Sequence, residues 1–250
     1  MKDRLRYVWL SLILIIIGSS IHLGFNPLSL IDDSNNGYII MQELLAIDFS
    51  VADKVFYAVI ETLEMATIGS SIGFALSIPA ALLAARNLSP FFISIIFRSI
   101  VSILWSIPPL LYAILLVAIV GLGPTAGILA IALFVVGLSG KYLYEIYESQ
   151  NPSAYDVMNV MGSTRLQKVK YVTLPEASPY MSNQYLFLLS YSVRESAILG
   201  LVGAGGIGFY IMQYLESLNY GKAALFILAI LIITIGMDYL SSKLRNKMVH

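Results

Sequence analysis

No cysteine occurs among the 250 residues, which excludes a disulfide framework and a thiolate metal site and leaves no redox compartment to be read. Histidine is nearly absent as well. His22 and His250 are the only two, so no helix-borne HExxH pair and no imidazole ligand set can be assembled. Nowhere does the chain carry GxxxxGK[ST], so it has no P-loop on which to cradle ATP phosphates. Charge is scarce: 15 Lys and Arg balance 15 Asp and Glu, together 12% of the residues, where a soluble domain carries about 25%. A net charge of zero offers nucleic acid no basic surface. With no convergent nucleophile, base or metal set, the sequence implies neither a catalytic site nor a cofactor.

What fills the space is apolar. Hydrophobic residues make up 58% of the chain and mean hydropathy is +0.81, which predicts an all-α integral membrane protein in contact with lipid. Crossing about 30 Å of hydrocarbon takes about 20 residues per helix, and six such stretches are found. They run over about 7–24, 55–85, 91–120, 124–144, 181–202 and 222–240. The first follows Lys2, Arg4 and Arg6; its long apolar core and the lack of a small-residue cleavage site favour a retained helix over a signal peptide. Residues 1–54 are therefore read as an N-terminal helix with a polar, external segment, and 55–250 as the helical core. Within the core, Glu145 to Tyr180 is the long polar break. With the N-terminus inside, eleven basic residues in loops and tails fall on the cytoplasmic side and only Lys54 and Lys222 outside, so both termini and the break are expected in the cytoplasm.

The stretch 201–208, "LVGAGGIG", contains a literal GxGxxG at Gly203, Gly205 and Gly208. A dinucleotide turn must follow a strand and precede an acidic residue by about 20 positions. Here the preceding residues form a membrane span, Glu216 comes too early and Asp238 too late. The glycines, Gly206 included, are expected either to break or tightly pack the chain in the outer half of the bilayer, or simply to turn it between two helices.

The polar break reads as two short helices. Asn151-Pro152-Ser153 is a helix entry with Asp156 near its positive end, Gly162 closes that helix, and Ser163 or Thr164 caps a second one that carries Leu166, Val169 and Val172 towards Leu174-Pro175. Such a projection can offer an apolar knob to a cytosolic partner. A break of this length is usually functional, against the plain alternative of a surface loop.

Gly162, then nine residues, Val172, one residue, and Leu174-Pro175 resembles the coupling-loop signature of ABC importer permeases, with Asp156 in place of its Glu and Val157 and Met158 in place of its alanines. Four further stretches, "ETLEMATIG" at 61–69, "LLAARN" at 82–87, "GLGPTAG" at 121–127 and "RESAILGLVGAGGIG" at 194–208, are similar to the permeases for phosphonate, phosphate or phosphite. Methionine and quaternary-amine permeases share part of the pattern. The resemblance implies a type I importer fold, a pore made with a second copy of the chain, two cytosolic ATPase subunits on the coupling loops and an external solute-binding protein. It implies ATPase coupling through Asp156, Gly162, Val172, Leu174 and Pro175. For the translocation pathway or gate it points to Glu61, Arg194, Ser196, Gly203, Gly205, Gly206 and Gly208.

Ionisable groups within the membrane are functional candidates by default. Glu61, Glu64, Arg98, Arg194 and Glu195 are those groups. Two roles stand open for Arg194: a bidentate grip on a tetrahedral oxyanion, or an ion pair with Glu61, Glu64 or Glu195. A self-sufficient channel or proton-coupled carrier, with Glu61, Glu64 and Arg194 as a relay, is the rival from another class.

Overall fold

The computed structural model describes residues 2–24 and 34–248. The start of the polar stretch expected from residue 25, and His250, lie outside the described residues. The chain forms two compact units, 1–46 and 47–250. The first contains α1 (Lys2–His22), with an apolar stretch over Trp9–His22, and α2 (Ser34–Leu45).

The second unit is helical throughout, with no strand among the described residues. In order it runs α3 (Ala52–Ala84), α4 (Phe91–Ser106), α5 (Pro109–Val120), α6 (Pro124–Ser149), α7 (Pro152–Val160), α8 (Arg165–Lys168), α9 (Leu174–Gly200), α10 (Gly206–Glu216) and α11 (Tyr220–Met248). A π-helical turn, Val169–Thr173, joins α8 to α9. Three segments are long and apolar enough to span a membrane alone: Phe49–Ala84, Pro124–Ser149 and Tyr220–Arg245.

The expected third span is not one straight helix. It is the pair α4 and α5, bent by 90°. Ile107, Pro108 and Pro109 make the corner, because proline lacks the N–H that would continue the ladder and pushes the residue before it into extended geometry; Ile107 has φ −91° and ψ 121°. The polar break is also shorter than expected. Helix α6 continues to Ser149 and α9 already starts at Leu174, so the segment outside them is 150–173. Polar residues after 144 stay helical because Glu148 accepts from the Arg98 side chain and from the Arg86 backbone N–H (2.6 Å), and Asn87 donates to the Tyr147 carbonyl (2.8 Å).

Helix α3 is the spine of this unit, packing on α6, α9, α10, α4 and α11. Its GxxxG, Gly69 and Gly73, allows the α3 and α6 backbones to meet. A Cβ on Gly73 would stand 2.6 Å from the Ala132 carbonyl oxygen, and one on Gly69 2.9 Å from that of Ile128. Small residues at such spacing let spanning helices approach closely where lipid supplies no hydrophobic drive. Two core clusters flank this seam. One, around Val101, Leu143, Tyr147 and Ala177, lies at the end bearing segment 150–173, and the other, around Val51, Ala58, Ile207, Leu225 and Phe226, at the glycine end.

Candidate functional site: a three-motif junction and a polar projection

Three separated stretches converge at the glycine segment. After α9 the chain turns through Gly203, Gly205 and Gly206, all at positive φ (87°, 85° and 69°), and then opens α10. The turn is pinned from two sides. The Gly123 N–H donates to the Gly203 carbonyl (2.9 Å), and the buried Ile207 N–H donates to the Thr62 hydroxyl (2.8 Å), which itself donates to the Ala58 carbonyl (2.7 Å). Thr62 on α3 thus satisfies one of the orphan N–H groups at the start of α10. Contact is close: a Cβ on Gly205 would come within 2.8 Å of Glu61 Oε1 and 2.9 Å of the Pro124 nitrogen. Stretches 61–69, 121–127 and 194–208 therefore share one junction, around a recess of about 250 Å³ lined by Glu61, Leu122, Gly123, Gly203, Phe209 and Tyr210 among others. The glycine segment both turns the chain and packs it tightly.

The Glu61 carboxylate belongs to this junction, near the positive end of α10. Gly208 sits in the first turn of α10, against the Ala197 carbonyl. Ser196 is fully buried and donates to the Ser192 carbonyl (2.7 Å). Arg194 does not line the recess. It meets Asp238 of α11 at 3.5 Å, with both side chains about half exposed (47%). Its carboxylate is thus none of Glu61, Glu64 or Glu195. The sequence ruled Asp238 out only as a nucleotide ligand and never weighed it as a partner, since the two residues lie 44 positions apart and only packing of α9 on α11 joins them. Two contacts hold that seam one turn away, from Ser190 to Ser241 (2.5 Å) and to the Met237 carbonyl (3.2 Å). Because α9 begins at Leu174, Arg194 stands 20 residues along it, about 30 Å rather than about 20 Å from the end bearing segment 150–173.

That segment contains the expected pair of short helices. Asn151 caps α7 by accepting from the Ser153 N–H (3.0 Å), Gly162 turns the chain at φ 70°, and Thr164 with Gln167 forms a capping box on α8. Val157, Val160, Met161 and Leu166 are all exposed, Val160 at 89% and Leu166 at 79%. Asp156 lines a polar recess of about 430 Å³ with Asn159, Arg165 and Lys168. Val172 and Leu174 are half-buried, and Pro175 sits exposed in the first turn of α9.

A staple that the sequence did not reveal fixes this projection. The Tyr155 hydroxyl on α7 donates to Gln150 Oε1 (2.5 Å) and lies 2.9 Å from the Thr173 hydroxyl, and Gln150 Nε2 donates to the Thr173 carbonyl (2.9 Å). Burial pushes the Tyr155 phenol up, so it keeps its proton at neutral pH. Gln150 follows α6 and Thr173 precedes α9, so α7 is tied to both long helices at once.

Residues 77–249 match the model of the family described as binding-protein-dependent transport system inner membrane component. The chain belongs to this family. It is 30% identical over 255 residues to a phosphate-import permease protein of Mycolicibacterium smegmatis, covering 100% of this chain and 48% of that protein, so it spans about half the length of that relative. It is 33% identical over 205 residues to a phosphite transport system permease protein of Stutzerimonas stutzeri, covering 82% of this chain and 74% of that one. Among solved structures it is similar to an inward-facing MetNI methionine ABC transporter, with TM-score 0.70, 22% identity, 81% of this chain and 99% of that chain. The fold of this family member is accordingly that of the type I ABC importer permeases, and it is a multi-pass membrane protein.

Proposed function

We propose that the chain is the pore-forming subunit of an ABC importer for phosphonate, phosphate or phosphite. Two copies form the translocation pathway, two cytosolic ATPase subunits dock on the coupling segments, and an external solute-binding protein delivers the solute. ATP hydrolysis falls to the partner, and this chain is non-catalytic. One observation carries the reading: an exposed apolar knob, Val157, Val160, Met161 and Leu166, is stapled through Gln150, Tyr155 and Thr173 to two long helices. Movement of a docked partner is thereby transmitted to α6 and α9 together. The names of the relatives support a phosphorus oxyanion as solute, and the basic Arg165, Lys168 and Lys170 support a cytoplasmic coupling segment and cytoplasmic termini.

In this reading Asp156, Gly162, Val172, Leu174 and Pro175 shape the docking segment. Glu61 and the glycine turn, with Ser196 in the helix before it, form the outer gate, and Arg194 acts on the gate through Asp238 by clipping α9 to α11. Alternating access follows when the docked ATPases close and the α6 and α9 ends are drawn with them. Among the described residues, a Cβ built at Gly162 would meet nothing within 4 Å. Gly162→Trp therefore has open space at its Cβ and adds the strain of a left-handed residue, about 1–2 kcal/mol. It is expected to insert normally, to lose co-purification with the tagged ATPase and to lose uptake. Normal uptake by this variant refutes the docking role. A self-sufficient channel would also conduct without any ATPase.

A further inference from the structure

Helix α9 carries two unlike faces. Ser178, Ser182 and Tyr185 recur at i, i+4 and i+7 and so share one side. They line a groove of about 650 Å³ against α3, where Ser71, Phe74 and Ile78 form the opposite wall and the Ser71 and Tyr185 hydroxyls are 2.8 Å apart. At about 100° per residue, Arg194 lies about 120–180° around α9 from these hydroxyls, on the side facing α11. Polar side chains in a spanning segment face either the protein interior or water. Ser178 is exposed and Ser182 and Tyr185 half-buried, so this chain does not enclose them.

The groove also has a definite position. Leu174, the first residue of α9 and next to the stapled Thr173, lines its end. On α3, the residues Glu61, Glu64, Ile68, Ser71, Ala75 and Ile78 follow helical spacing, so one uncovered strip leads from the glycine junction into the groove. Among the described residues neither a carboxylate nor a cation lines it. Conduction requires sites that bind weakly enough to release. Hydroxyl donors meet that requirement for an oxyanion better than a guanidinium in low dielectric, whose hold would be strong.

We propose that the α3–α9 groove, with the hydroxyls of Ser71, Ser178, Ser182 and Tyr185, is the water-lined leg of the solute passage next to the coupling segment. It takes a tetrahedral phosphorus oxyanion on neutral donors, and Arg194 stands outside it. This rests on the permease reading above.

The absence of native cysteine makes the test clean. Ser178→Cys and Ser182→Cys are made singly in the full permease, assembled with its ATPase and binding protein in membrane vesicles, and exposed to a membrane-impermeant thiol reagent from the coupling-segment side. Leu166→Cys, on the exposed knob, reports that the reagent reaches that side. Ile232→Cys and Ile100→Cys are the comparison, each on an exposed apolar surface of another helix. Reaction needs the thiolate, which forms in water and not in lipid, so the groove cysteines are expected to react about tenfold faster than these two. Saturating inorganic phosphate, phosphite or methylphosphonate is expected to slow them about threefold by occupying the donors. Groove rates no higher than the comparison, or rates that none of the three anions slows, overturn the inference. ATP-driven uptake by the cysteine-free parent is read in the same vesicles. Uptake with unreactive groove cysteines removes only the groove, whereas anion-protected cysteines without uptake remove the importer reading and keep the oxyanion site.

Discussion

Thr62→Val tests the proposed gate most directly. The hydroxyl is buried, accepts the Ile207 N–H at 2.8 Å and donates to the Ala58 carbonyl at 2.7 Å. Valine has nearly the same shape, so packing against the glycine turn is kept while the acceptor disappears. The Ile207 N–H is then left buried without a partner at the start of α10. Such a group costs about 1–3 kcal/mol, while the Ala58 carbonyl retains its helical bond and loses little. If the junction is intact only when the gate is closed, the same energy shifts the gating equilibrium by about 5- to 150-fold. For a chain of this size each kcal/mol lowers the melting temperature by about 2–4 °C. The assay pairs thermal unfolding of detergent-solubilised complex with ATP hydrolysis in the absence of solute. Thr62→Val is expected to melt lower and to hydrolyse ATP without transport, and Thr62→Ser, which keeps the oxygen, to behave close to the parent. A Thr62→Val protein indistinguishable from the parent in both measurements refutes the account of the junction.

Other perturbations probe the remaining parts. Tyr155→Phe removes the hydroxyl from the staple and is expected to weaken the tie by about 1 kcal/mol, lowering uptake per ATP hydrolysed while ATPase co-purification persists; unchanged stoichiometry of uptake to hydrolysis would count against transmission through the staple. Gly205→Leu puts a side chain where even a Cβ lies 2.8 Å from Glu61 Oε1 and forces it to φ 85°, so uptake should be lost with assembly retained; normal uptake would reduce the segment to a plain connection. If Arg194 clips α9 to α11, Arg194→Gln should lower the yield of assembled complex by leaving Asp238 unpaired, and adding Asp238→Asn should restore it; a double variant that assembles fully but takes up nothing would instead make Arg194 a substrate contact.

Much of the fold was legible because the signals are local. Apolar runs marked the helices over Phe49–Ala84, Pro124–Ser149 and Tyr220–Arg245, and the Asn151 entry, the Gly162 turn and a cap at Ser163 or Thr164 were readable within a short stretch, though the part of Gln167 in that cap was not. The corner at Ile107 was written in "SIPPL" but was hidden by apolar residues on both sides, which a length criterion joins into one span. Helix α10 went unrecognised for a related reason. Its apolar run, Ile207 to Leu215, is too short to cross a bilayer, and it follows the glycines that had to be explained first. What could not be read is pairing at long range. The Thr62 cap on Ile207 lies 145 residues away in sequence, and the Ser71 to Tyr185 contact 114. The same limit hid Asp238 as the partner of Arg194, since nothing in either local sequence says whether the Arg194 side of α9 faces α11 or α3. Candidate residues were thus identifiable by type, and their company was set by packing.

The Gly69 and Gly73 seam decides which parts of this protein can move. Where two backbones stand so near that a single added methyl has no room, sliding one helix along the other would drive each glycine gap onto a neighbouring side chain. Helices α3 and α6 must then travel as one rigid plate. Across the other side of α3 the contact to α9 is of a different kind, with the Ser71 and Tyr185 hydroxyls paired beside the Phe74 and Tyr185 rings and no glycine seam. A door of this construction has its panel on α3 and α6 and its free edge along α9. The staple of Gln150, Tyr155 and Thr173 is the handle, set where panel and edge end side by side.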